Sequence, residues 1–305
     1  MDASARPVVV GLDWSEESRA AVEYAADLAT RRSVPLRLVH AVEPENVEAW
    51  STMGWTPDLD TAVRESGRQL LTETVDRLAA SHPDLPVTTS LAGGGSSHVL
   101  VEESQRAHTL VLGKRRVTGL AALLLSSTTV HVGRRASCPL IAVPARRADD
   151  ALRSGVVVGV AGSELSQVTL GYAFEQAAEL DEPLVAVHTW SEPLAAEPSM
   201  MPLFYTGEGT QSDEQAVLAT CLAGWQERYP QVRVEQYVQQ CRPVAELVAR
   251  SARARLLVIG SHGRGGFRRL LGSVSKGVLC SASAPVAMIH LRDAGDRGTA
   301  PAPPR

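Results

Sequence analysis

The chain carries one pattern twice. Val8-Val-Val-Gly11-Leu-Asp-Trp-Ser15 returns as Val156-Val-Val-Gly159-Val-Ala-Gly-Ser163, 148 residues further on. Leu36-Arg-Leu-Val-His40 returns as Leu184-Val-Ala-Val-His188 at the same offset. Leu110-Val-Leu-Gly113 matches Leu257-Val-Ile-Gly260 at 147, and Cys138-Pro-Leu-Ile-Ala-Val143 matches Ala284-Pro-Val-Ala-Met-Ile289 at 146. Chance is a poor explanation for matches in one order at nearly constant spacing, so the chain must hold two copies of one unit. The drift in offset puts two single-residue deletions in the second copy, one of them between Gly260 and Gly272. A length of 305 residues accommodates two domains of about 150. The expected division is a domain at 1–146, a connector at 147–154, a second domain at 155–291 and a disordered, proline-rich tail at 292–305.

Each copy alternates short apolar runs with longer amphipathic stretches. Strands are expected near 7–12, 36–41, 86–91, 109–113 and 139–143, and again near 155–160, 183–188, 231–238, 255–260 and 285–290. Helices are expected near 15–32, 58–81, 96–107 and 125–136, then 163–180, 211–228, 243–253 and 272–282. Ser15 reads as a helix cap, followed by Ala21, Tyr24, Ala25 and Leu28 at helical spacing. Strands made almost wholly of Val, Ile and Leu are buried on both faces, which means a parallel sheet between layers of helices. The class is α/β, with two tandem doubly wound parallel-sheet domains. Such sheets bind ligands at the carboxyl ends of their strands. The segments 43–60 and 192–212 lack a period and are expected to be long loops over that edge.

Composition narrows the classes of function. A formal net charge of −4 gives no general attraction to nucleic acid or to an anionic membrane. No apolar stretch approaches the roughly 20 residues of a membrane helix, and the first residues do not read as a signal peptide. Cys138, Cys221, Cys241 and Cys280 show no metal-ligand spacing, so neither a structural metal nor a disulfide framework is expected. These features point to the cytoplasm.

The stretch Leu256-Leu-Val-Ile-Gly260-Ser-His-Gly263-Arg-Gly-Gly266 ends a strand in glycines, and Gly272-Ser-Val-Ser275 then opens a helix. Glycine allows close backbone approach and positive φ. Successive N–H groups and a helix start together form an anion-binding concavity. The stretch reads as a cradle for phosphates, against the plainer reading of a glycine-rich surface loop.

At these residues the chain resembles the universal stress protein family in its tandem two-domain form, from Pro7 to Leu291. The family's phosphate motif, Gly-x2-Gly-x9-Gly-(Ser/Thr), is matched by Gly260, Gly263, Gly272 and Ser273, with eight residues in the spacer instead of nine. Its first-strand motif, Gly-x-Asp-x-Ser, is matched by Gly11-Leu-Asp13-Trp-Ser15. The resemblance implies the adenine nucleotide alpha hydrolase-like fold and a bound adenine nucleotide, ATP with or without Mg2+. It assigns the nucleotide in the second half to Gly159, Val187, Gly260, Ser261, His262, Gly263, Arg264, Gly265, Gly266, Gly272, Ser273, Val274 and Ser275. The corresponding first-half candidates are Gly11, Asp13, Gly113, Ser126 and Ser127.

Two departures matter. Ala161 stands where the family has its first-strand Asp, which removes an acceptor worth on the order of 1 kcal/mol. The first half reads Gly113-Lys-Arg-Arg116, with Arg116 in the phosphate path, so this half is expected to have lost ordinary triphosphate binding. On a second reading, Lys114, Arg115 and Arg116 supply charge there instead. Asp13 is either a ligand of the nucleoside end or only a turn and cap residue. His40 and His188 are expected to close strand ends, because no carboxylate or Cys lies near them at a spacing that would orient a base.

The function implied is a regulatory, nucleotide-responsive stress protein. The alternative is a scaffold or dimerisation protein of the same fold without nucleotide. A P-loop Gly-x4-Gly-Lys-(Ser/Thr) is absent from the sequence, so efficient catalysis is not expected, with slow ATP hydrolysis left open. The resemblance implies pairing through the fifth strands, as in many family members, and tandem members can make that pairing within one chain. The apolar runs Pro139–Val143 and Pro285–Ile289 therefore need a cover, either from one another within the chain or from a second chain in a homodimer.

Overall fold

Apolar periodicity dictates alternating strands and helices, and both halves of the chain follow it. The computed structural model describes residues 5–42, 57–115, 128–146, 150–190, 211–262 and 271–290. The first half runs β1 (Val8–Gly11), α1 (Glu16–Arg32), β2 (Leu36–Val42), α2 (Pro57–Ser81), β3 (Val87–Gly93), α3 (Ser96–Ser104), β4 (Thr109–Lys114), α4 (Thr128–Gly133) and β5 (Leu140–Pro144). The second runs β6 (Val156–Gly159), α5 (Glu164–Leu180), β7 (Leu184–Trp190), α6 (Gln211–Arg228), β8 (Val234–Gln240), α7 (Pro243–Ser251), β9 (Leu256–Gly260), α8 (Ser273–Ser281) and β10 (Val286–Ile289). Every expected strand and helix is found, with ends displaced by about three residues at most. Most of the two expected loops, 43–56 and 191–210, lies outside the described residues, as do 147–149 of the connector and the tail from 291. Residues 58–60, shared by the expected loop and the expected helix, belong to α2, which starts on a proline that suits a first helical turn.

The two halves do not form two separate sheets. All ten strands join in one, in the order β3-β2-β1-β4-β5-β10-β9-β6-β7-β8. Among the described residues neighbours are parallel within each half, and the single antiparallel junction is β5 against β10, with Val286 opposite Ala142, Ala287 opposite Ile141 and Met288 opposite Leu140. The strand edges that needed a cover thus cover one another within the chain.

Side chains alternate across this junction, so each face of the sheet has a core that crosses it. Ile141, Val143, Ala287 and Ile289 pack with α1, α2, α5 and α6 on one face. Leu140, Ala142, Val286 and Met288 pack with α3, α4, α7 and α8 on the other. Polar contacts fasten the same seam. The buried Lys114 ammonium donates to Ala282 O at 2.9 Å and Leu279 O at 3.4 Å, a cation on the carboxyl end of α8. His290 Nε2 donates to Gly133 O at 2.8 Å, at the end of α4. Arg32 of α1 reaches Glu175 at 2.8 Å and Glu179 at 3.1 Å on α5, with its guanidinium 5.8 Å from the Tyr172 ring.

The His290 contact makes stability depend on pH. Burial holds this imidazole below its ordinary range, and this outweighs the backbone hydrogen bonding at Gly133 and Cys138, which acts the other way. A histidine with a lowered folded pKa contributes stability that is fully present above its unfolded value of about 6.5 and is lost as pH falls from there. Urea unfolding between pH 7.5 and 5 is expected to show a stability loss that is smaller in His290→Gln, which keeps a donor but has no proton to gain. Equal pH slopes in the two proteins would refute the assignment.

Candidate functional site

Both halves open a cavity at the carboxyl ends of their strands, where the doubly wound topology places ligands. The second-half cavity measures about 480 Å³ and the first-half cavity about 150 Å³. The larger is walled by the ends of β6, β7 and β9 and by the start of α8. Gly159, Val187, Gly260, His262, Gly272, Ser273, Val274 and Ser275 all line it, as the resemblance implies. Ser261 sits beneath it instead: its N–H donates to Ile289 O at 2.8 Å and its carbonyl accepts from Gly272 N at 2.9 Å. Gly263, Arg264, Gly265 and Gly266 lie outside the described residues.

The Ser261–Gly272 bond accommodates the eight-residue spacer. It closes the two ends of the loop on each other, so Gly272 and Ser273 stand beside Gly260 and His262 despite the missing residue. α8 then begins without a side-chain cap, on Gly272. Its first intrahelical bond runs from Lys276 N to Gly272 O. The N–H groups of Ser273, Val274 and Ser275 therefore have no intrahelical acceptor, and the positive end of the helix dipole faces the cavity. This is a ready site for an anion.

Glycine serves space here rather than unusual backbone angles. Gly272 has φ −61, and neither it nor Gly260 is among the glycines with positive φ. A Cβ on Gly260 would lie 2.8 Å from Leu165 Cδ2 of α5, and one on Gly272 3.3 Å from His262 Cα. In the first half, a Cβ on Gly113 would lie 2.7 Å from Glu17 C and 2.8 Å from Ser18 N. The first glycine of the motif thus lets a helix pack on the strand end in both halves. Ser275 has a similar duty: its hydroxyl donates to Gly260 O at 2.7 Å, just as Thr129 donates to Gly113 O at 3.1 Å.

In the first half, Gly11, Asp13 and Gly113 line the smaller cavity, while Ser126, Ser127 and Arg116 lie outside the described residues. The Asp13 carboxylate accepts from Ser15 N at 2.9 Å and from the Ser15 hydroxyl, so it does act as a turn residue. Ser18 accepts the Asp13 N–H at 2.9 Å, and Ser166 accepts the Ala161 N–H at 3.2 Å in the second half. One buried hydroxyl therefore fixes the turn in each copy, and Ala161 keeps the backbone of that turn without the carboxylate. The reading of Lys114 as a phosphate ligand is corrected, because its ammonium is spent on α8 carbonyls. Arg115 is exposed, 4.0 Å from Glu17.

The two histidines close strand ends as expected. His40 Nδ1 donates to Leu12 O at 2.8 Å and His188 Nδ1 to Val160 O at 2.7 Å. The expectation of no nearby carboxylate fails for His188, whose Nε2 lies 2.6 Å from Glu214 Oε2 on α6. Both ring nitrogens are thereby engaged. Trp190 stacks over His188 with centroids 6.4 Å apart, and Pro243 and Leu247 of α7 close the apolar side of the cavity. Only the apolar period of α7 hinted at these last two in the sequence.

The model of the Universal stress protein family matches residues 4–144 and 154–290. The universal stress protein Rv2005c of Mycobacterium tuberculosis is 37% identical over 288 residues, covering 92% of this chain and 95% of its own. A universal stress protein of Mycolicibacterium smegmatis is 35% identical over 292 residues, covering 93% and 97%. Among solved structures, a universal stress protein from Archaeoglobus fulgidus superposes with a TM-score of 0.71 at 17% identity, over 95% of this chain and 98% of that one.

The packing role of the first motif glycine can be measured directly. Gly113→Ala pushes a methyl against α1 backbone and is expected to cost about 1–3 kcal/mol in chemical denaturation. Gly93→Ala, with nothing within 4 Å of the new carbon, is expected to stay within about 0.5 kcal/mol of the parent. Equal effects of the two would contradict the account.

Proposed function

The chain belongs to the universal stress protein family, and from that premise we propose that it is a cytoplasmic, ATP-responsive regulatory protein whose second half holds the nucleotide. One observation carries the reading: the uncapped start of α8 and the strand ends Gly159 and Gly260 converge on one cavity of about 480 Å³, within the usual range for small-molecule sites. The amides of Ser273, Val274 and Ser275 would hold phosphate oxygens. Val187, Thr189 and the apolar Pro243, Leu247 and Ile259 would surround the base and sugar. Among the described residues no group of three His, Cys, Asp or Glu can hold a metal ion, so Mg2+ enters the proposal only as the ion carried by the triphosphate.

A regulatory rather than catalytic role is supported by the chemistry of the cavity wall. Among the described residues two imidazoles line it: His188 is buried with both nitrogens committed, to Val160 O and to Glu214, and His262 is half-buried with Nδ1 against the Ser261 hydroxyl. His188 therefore has no ring nitrogen left to take a proton from an attacking water. The first half, with its small cavity and diverted Lys114, would serve mainly as the structural partner of the second. Among the described residues no helix is long and apolar enough to cross a membrane.

Binding to the folded state stabilises it by RT ln(1 + [L]/Kd), about 2.7 kcal/mol at a hundred times Kd. Mg-ATP at millimolar concentration is therefore expected to raise the melting temperature. Gly272→Val, which puts a branched side chain against His262, is expected to weaken ATP binding tenfold or more. Absence of a shift in the parent, or a shift undiminished in Gly272→Val, would count against the proposal.

A further inference from the structure

A second cavity of about 200 Å³ lies between the halves, away from the strand ends. Its floor is one stripe of α1, where Ala20, Tyr24, Asp27 and Arg31 recur at helical spacing. The last residue of the first half, Arg146, the connector residues Asp150 and Arg153, and Arg255 of the second half just before β9 complete the lining. Four guanidiniums thus face two carboxylates, and both carboxylates are already matched. Asp150 lies 3.0 Å from Arg153, and Asp27 lies 3.1 Å from His82. Arg255 is held by Glu182 at 2.9 Å. Arg31 and Arg146 make no ion pair among the described residues, and both are exposed.

Arg153 is the anchor. Its side chain is only 6% exposed, and it donates to Ser283 O at 3.0 Å from one terminal nitrogen while pairing with Asp150 through the other. Its Nε is buried with no hydrogen-bond partner. A charged donor left unsatisfied in a buried position is costly and rare in a folded chain, and a bound acceptor would relieve it. Tyr24 adds a neutral donor: burial pushes its phenol up to about 12, against the opposing pull of Arg31, so it keeps its proton at physiological pH. Val143, Pro144, Leu180 and Pro285 supply apolar walls that strengthen any charge interaction inside.

We propose that this crevice binds a small phosphate-type oxyanion, either inorganic phosphate or the phosphoryl group of a small metabolite. Guanidinium forks match tetrahedral oxyanions in geometry as well as charge. The volume, below the roughly 300–1,000 Å³ typical of drug-sized ligands, is too small to enclose a whole nucleotide. Because α1, the connector and the approach to β9 all contribute a cation, an occupant bridges the two halves and tightens the seam between them.

The test uses the full chain and inorganic phosphate as the probe, with chloride at matched ionic strength as the reference. Phosphate is expected to raise the melting temperature of the parent. Arg31→Gln with Arg146→Gln, two exposed positions without ion pairs among the described residues, is expected to weaken the apparent phosphate affinity on the order of tenfold while leaving the response to ATP intact. Gly272→Val, which targets the strand-end cavity, is expected to keep the full phosphate response. Glycerol phosphate in place of phosphate separates the two sources: a larger shift identifies a phosphorylated metabolite, a smaller one the free ion, and either supports the site. No phosphate-specific shift, a shift unchanged in the double variant, or one lost in Gly272→Val would overturn the proposal.

Discussion

The antiparallel ladder between Leu140–Pro144 and Val286–Ile289 is the contact on which the rest of the molecule depends. Each of these strands ends one half of the sheet, and each is buried on both faces. Left alone, either would present a row of unpaired N–H and C=O groups flanked by aliphatic side chains, the usual template for aggregation. Pairing them satisfies those groups and lets both cores run across the junction. Because β5 and β10 come from repeats of one unit, their antiparallel pairing relates the halves by an approximate twofold, the intramolecular form of a symmetric dimer.

That arrangement also explains why the halves diverge. Near an approximate twofold, a side chain at the end of β4 can reach the partner half, and Lys114 does so, capping α8 with its ammonium. The cation that might have met phosphate in the first half instead holds the helix whose other end opens on the second-half cavity. His290 returns the favour at α4. One copy has thus become support for the other, with about 150 Å³ of cavity against 480 Å³.

Much of the fold was legible in the sequence, because buried parallel strands can hardly be anything but runs of Val, Ile and Leu, and the duplicated spacing fixed their order. The edges that needed a cover were legible for the same reason. Contacts between distant side chains were not. Glu214 meets His188 across 26 residues and from another element, which no spacing rule foresees. Lys114 looks like part of a surface basic run, and only the seam makes it a buried cap. Gly113 and Gly260 read as phosphate residues, yet the atoms nearest their missing side chains belong to α1 and α5. The shortened spacer could not be judged until the Ser261–Gly272 bond brought the two ends of the loop together. Arg153 reads as an ordinary connector residue, and its burial follows only from the way the two halves close on it.

The closing of one sheet edge by the other is tested most directly by amide hydrogen exchange at Leu140, Ala142, Val286 and Met288, read at two protein concentrations tenfold apart. The account predicts exchange as slow as in β4 and β9 and independent of concentration, since the ladder belongs to one chain. Rapid exchange at these amides, or protection that grows with concentration, would contradict it.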